Sequence, residues 1–114
     1  MSNTTKQKLI DRLLELPAEI EVAEEAALQA HSRLVTAKEL ILWKEDSLLL
    51  TENGPITGKN AETRAAQVRS FTKNEREALA DAEMELKNAS SRLERLHVEF
   101  KALRAVADLL KVPA

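Results

Sequence analysis

Asn53-Gly54-Pro55-Ile56-Thr57-Gly58 divides the chain, and the fold class follows from what flanks it. Both glycines of the protein and one of its three prolines fall within these six positions. Glycine opens backbone angles closed to other residues, and proline presets the first angle of a turn, so the stretch reads as a hard break between regular elements. Asn60 then offers a side-chain cap for a new helix, with Glu62 and Thr63 in its first turn. The reading is a first arm over 5–52, a tip loop over 53–59 and a second arm over 60–112, stopped by Pro113. At ~1.5 Å per residue each arm would run roughly 70–80 Å, and matched lengths suit a hairpin.

Apolar spacing outside the break supports this. In the first arm, one column is Leu13, Ile20, Ala27, Leu34, Ile41 and Leu48, each seven residues apart, and the other is Leu9, Leu16, Ala23, Ala30, Ala37 and Lys44. In the second arm the columns are Ala65, Thr72, Leu79, Leu86, Leu93, Phe100 and Ala107, beside Val68, Glu75, Ala82, Ala89, Leu96, Leu103 and Leu110. Alternating steps of three and four sustained over several heptads mark left-handed coiled-coil packing. An antiparallel pairing centred on Gly58 gives the layers Leu13/Leu103, Leu16/Phe100, Ile20/Leu96, Ala23/Leu93, Ala27/Ala89, Ala30/Leu86, Leu34/Ala82 and Ala37/Leu79. Alanine meets leucine in four of them, the large-against-small alternation that close packing needs. Only Ala27/Ala89 sets two small side chains together. Flanking charges give a mixed account of this register: Arg33/Glu85, Glu45/Arg69 and His31/Glu83 attract, whereas Glu19/Glu99 and Lys38/Arg76 repel. Pro17 interrupts the first arm but not its heptad phase, so the expectation is a kink there rather than a separate short helix over 5–16.

Composition agrees. There are only three aromatic residues and no tyrosine, and 32% of the chain is charged; Ala, Leu, Glu, Lys and Arg dominate, as in long helices and coiled coils. The expected fold class is all-α, a long antiparallel helical hairpin that assembles into a helical-bundle oligomer as a single hairpin domain. A net charge of −2 gives no general pull toward nucleic acid or acidic lipid. The absence of cysteine excludes disulfides, thiol catalysis and cysteine-bound zinc. No apolar run approaches the ~18 residues of a membrane span, and the polar start, Met1-Ser2-Asn3-Thr4-Thr5, has no secretory core, so the expected compartment is the cytoplasm.

A two-helix seam leaves apolar residues over. Leu40, Leu42, Trp43, Leu49, Leu50 and Phe71 fall off the columns near the tip. Ile10, Leu14, Val98, Ala102, Val106 and Leu109 do so near the open end. Contiguous exposed apolar surface usually marks a partner site, and self-association to a dimer or tetramer is its simplest cover. The competing expectation is that Trp43 folds over the tip loop. Near the tip the layers turn polar, Ile41 opposite Glu75 and Lys44 opposite Thr72, with Lys44 and Glu75 in reach of each other; fixing register is the best-attested use of such a layer.

Catalytic patterns are missing. Glu94-x-x-His97 is half of a di-iron helix pattern, but no second copy accompanies it, since Leu28 stands three residues before His31. No nucleophile elbow or phosphate loop is present, Asn60 following Lys59 where that loop needs Ser or Thr. The expectation is no enzyme, no cofactor and no metal. Lys59, Arg64, Arg69, Lys73 and Arg76 gather toward the tip and form a weak candidate for phosphate contact. Acidic neighbours Glu45, Asp46, Glu52, Glu62 and Glu75, and the lack of an aromatic row for base stacking, favour a solvated mixed-charge face.

The stretch Thr57-Gly58-Lys59-Asn60-Ala61-Glu62-Thr63-Arg64-Ala65-Ala66-Gln67 resembles a segment of small all-helical accessory proteins encoded by tailed bacteriophages and prophages, in early or recombination gene clusters. There it opens a second long helix after a heptad-rich first one. The resemblance covers about these eleven residues, transfers no catalytic residue and implies a phage-type accessory protein in a bacterial cytoplasm. The leading functional expectation is helix-mediated self-association and protein binding without catalysis. The others are a nucleic-acid-binding factor using the basic tip and an inhibitor of a host-defence enzyme.

Overall fold

The computed structural model describes residues 3–111, and every regular element among them is an α-helix. They are α1 (Asn3–Leu50), α2 (Ala61–Phe71) and α3 (Lys73–Lys111). The chain is an all-α antiparallel helical hairpin, α1 packing on the later helices. The sequence-predicted end of the second arm, Val112 with Pro113, lies outside the described residues.

Two features differ from the pattern read along the chain. The second arm is two helices, parted at Thr72. In addition, contacts divide the chain into two compact units, 1–29 with 87–114 and 30–86. The division falls beside Ala27 and Ala89, the one layer that the spacing fills with two small side chains.

In the first unit, Leu16, Ile20, Ala23 and Leu96 form a buried cluster, with Leu93, Phe100 and Leu103 packed against it. These are the expected layers. α1 runs unbroken through Pro17, so no separate helix precedes it. Proline inside a helix costs about 3 kcal/mol. Here its neighbours offset that: Leu16 is fully buried and Ile20 is buried in the same cluster, each burial contributing roughly 1.5–3 kcal/mol. The repulsion expected between Glu19 and Glu99 does not arise, because Arg12 stands between them. Its guanidinium grips Glu99 with two bonds, Nε to Oε2 at 2.6 Å and Nη2 to Oε1 at 2.8 Å, and also donates to Glu19. That fork-on-carboxylate geometry is the strongest form of ion pair.

In the second unit, Leu34, Ala37 and Ala82 are buried together, with Leu79 and Leu86 against them. Arg33 pairs with Glu85 as expected. Glu45 pairs not with Arg69 but with Arg76, at 3.1 Å. His31 and Glu83 form no ion pair among the described residues. The polar layer is built around Thr72, which is wholly buried. Its hydroxyl donates to the Val68 carbonyl at 2.8 Å and accepts from Arg76 Nε at 3.0 Å, and its backbone N–H donates to the same Val68 carbonyl at 3.0 Å. A threonine hydroxyl competing for a backbone carbonyl bends or ends helices, and here it closes α2. Two column positions, Ala65 and Leu110, stay exposed.

Ala82→Leu would force a larger side chain against Leu34 and is expected to destabilise the protein by about 1–3 kcal/mol in urea unfolding, whereas exposed Ala61→Leu should change it little. Equal, small effects would mean the seam is misassigned.

Candidate interaction surface

The segment between α1 and α2 is held by a side-chain clasp. α1 ends where the Thr51 hydroxyl donates to the Ser47 carbonyl and Asn53 takes a positive φ of 56°, a backbone state that asparagine tolerates better than most residues. Gln67, a turn and a half into α2, then reaches back. Its Oε1 accepts the backbone N–H groups of Thr57 at 3.0 Å and Gly58 at 2.8 Å, and its Nε2 donates to the Thr57 hydroxyl at 3.0 Å. Arg64 Nε donates to the Gly58 carbonyl at 2.8 Å, and Asn60 caps α2 by accepting from Thr63 N at 2.8 Å. Gly58 is buried under this clasp, and a Cβ there would lie 2.8 Å from Arg64 N and 2.9 Å from Thr63 Cβ. Backbone cannot yield as a flexible side chain can, so only glycine fits. Five residues of the Thr57–Gln67 motif, namely Thr57, Gly58, Asn60, Arg64 and Gln67, thus have a local structural role.

That arrangement bears on the basic candidates. Arg64 is committed to Gly58, and Arg76 to Thr72 and Glu45. Lys59, Arg69 and Lys73 are exposed and make no ion pair or hydrogen bond with another side chain among the described residues. Lys44, the remaining basic residue at this end, donates to Glu75 Oε1 at 2.7 Å. Oε2 of Glu75 is buried and takes no hydrogen bond. The Lys44 bond and the local backbone hold the Glu75 carboxyl below its ordinary pKa. Arg12 does the same for Glu99, while Glu99 raises Arg12 still further above its usual range.

The apolar candidates are largely uncovered. Trp43 is 69% exposed, Leu50 83% and Leu40 53%, and Phe71 is exposed as well. The tip loop does not fold over the indole. Leu14 and Leu109 are also bare, while Ile10 and Val106 are only just past half-burial. Val98, off the columns near the open end, is exposed as expected, and the columns do not single out four others that are exposed too, Val22, Leu28, Val35 and Met84. Their signal was in the sequence, since Leu28, Val35, Leu42 and Leu49 follow at seven-residue steps on α1, off the seam. His97 Nε2 lies 3.9 Å from Glu24 Oε1, and no group of three or more metal-binding side chains occurs among the described residues. No described helix is both long and apolar enough to cross a membrane.

No family model matches the chain, and neither a curated protein nor a solved structure matches it.

Gly58→Ala is expected to destabilise the protein by about 1–3 kcal/mol through forced displacement of the clasp. Gln67→Ala should cost about 1–3 kcal/mol by stripping its partners and should speed amide exchange at Thr57 and Gly58. Unchanged exchange there would contradict the clasp. Because Glu75 and Glu99 titrate lower in the folded than in the unfolded protein, their contribution is present above the unfolded carboxyl pKa of ~4.3 and lost as pH falls through the folded value. Glu75→Gln with Glu99→Gln should therefore flatten the acid limb of stability against pH. An unaltered acid limb would show that the two pairs contribute nothing.

Proposed function

We propose that this protein is a non-enzymatic accessory protein of the phage type that acts by associating with itself through its helices and by binding another protein. The observation that carries this reading is where the apolar side chains go. Among the described residues, ten apolar residues are buried and four of these are alanines, Ala23, Ala30, Ala37 and Ala82. Larger side chains, Trp43, Leu50, Leu14 and Leu109 among them, stand in water. Small chains bury a smaller fraction of their surface on folding than large ones, and oligomerisation is a standard supplement to a thin core. A second copy is the partner always present at equal concentration.

The phage setting rests on the resemblance of Thr57–Gln67. The clasp accounts for part of that segment through folding alone. The reading of a nucleic-acid factor is the weaker one, because Arg64 and Arg76 are occupied internally and the free lysines and arginine lie among carboxylates.

Sedimentation equilibrium at tens to hundreds of micromolar should give a mass well above the 12.7 kDa of one chain, and Trp43→Glu should lower it. A strictly monomeric mass over that range would refute self-association.

A further inference from the structure

Beside Trp43, on the same unit, lies a groove of about 420 Å³ between α1 and α3. Thr36 and Leu40 form one wall, Ala78 with the carboxylates Glu75, Asp81 and Glu85 the other, and the small side chains of Ala37 and Ala82 lie at its base. Trp43 lines no part of it. Yet Trp43 follows Thr36 by seven residues and Leu40 by three, so all three share one face of α1. A large exposed apolar knob and an open, small-residue groove thus stand side by side on one surface.

We propose that this surface binds a second copy of the chain about a two-fold axis near Leu40, each Trp43 entering the partner's groove at Thr36 and Ala78. The proposal rests on the self-association reading and names its face. A two-fold contact requires that what residue i touches on the partner, the partner's residue i touches in return, and a knob next to its own type of hole meets that requirement. Antiparallel α1 helices with Trp43 against Thr36 also bring together the residues three positions further out on each side, Asp46 of one copy and Arg33 of the other. These carry opposite charge. Asp46 is exposed with no partner among the described residues, and Arg33, half-exposed at the rim of the groove, already pairs with Glu85 of its own chain, so it would hold Asp46 as a second carboxylate, as Arg12 holds both Glu19 and Glu99. The charges therefore favour the register that the shapes select. Lys44 is held by Glu75 and is withheld from the contact. The buried area is small, two indoles with two Leu40 side chains at its centre, which places the dimer in the weak, transient class.

Trp43 is the only tryptophan, so its emission reports the contact directly. Wild-type emission should move to the blue as concentration rises from about 1 to about 500 μM, and the sedimented mass should rise with it. Ala78→Arg blocks the groove at an exposed helical site and should leave Trp43 emission at the water-exposed position throughout. Trp43→Ala keeps the groove and is silent. Adding an excess of the silent Trp43→Ala chain to Ala78→Arg should shift the emission of the latter to the blue, because its knob now finds an open groove. Emission that stays red in this mixture would overturn the proposal. So would a wild-type protein that associates with Trp43 still exposed, although self-association by another face would then stand. A wild-type protein that remains monomeric would overturn both. Helical circular dichroism of each variant guards against misfolding.

Discussion

Everything in this chain depends on alanine meeting leucine across an antiparallel pair of helices. Small side chains on α1, such as Ala23, Ala30 and Ala37, let larger ones from α3 fill the space between the axes, and Ala82 returns the favour to Leu34. A seam of leucines alone would hold the helices apart, and a seam of alanines alone would bury too little. The alternation gives close approach and a modest apolar payload together. It also fixes what remains outside: with the seam two residues wide, large apolar residues on other faces, such as Leu14, Leu28, Trp43 and Leu109, stay mostly uncovered within the chain.

Charged and polar groups then adjust to the seam instead of setting it. Arg12 shows this. Glu19 and Glu99 are brought near each other by apolar register, and an arginine seven residues before Glu19 bridges the two. At the other unit, Lys44 and Glu75 occupy column positions where an apolar pair would pack, and one oxygen of Glu75 goes unsatisfied. Breaking such a pair from one side is worse than never having had it. A slipped register would separate the two, so their presence disfavours alternatives more than it stabilises the fold. Thr72 adds a helix end at the same place, allowing α2 to be set by the Gln67 and Asn60 contacts independently of α3.

The helical class, the break near Gly58, the Asn60 cap and the layers around Leu16, Ile20, Leu34 and Ala82 were legible because each rests on local chemistry or on a seven-residue period. The split of the second arm was not, since Thr72 fits the heptad and its effect depends on a hydroxyl choosing the Val68 carbonyl. Single-pair charge contacts were read partly wrongly: long side chains reach several positions, so Glu45 found Arg76 rather than Arg69. Of the candidate surface, the uncovered tip residues were legible as leftovers from the columns. The groove beside Leu40 was not, because it is made by what Ala78 and Ala82 lack. Lys59 and Arg64 looked alike as basic residues near a loop, and only the Arg64 bond to the Gly58 carbonyl separates them.

The pairing of Ala30 with Leu86 tests the seam most directly, because both residues lie on its columns within one unit and are far apart in sequence. Cysteines at these two positions should form a disulfide readily under mild oxidation, which requires Cα atoms within roughly 7 Å. Cysteines at Ala30 and Ala65 should not. Ready crosslinking of the second pair and none of the first would contradict the antiparallel register on which the account is built.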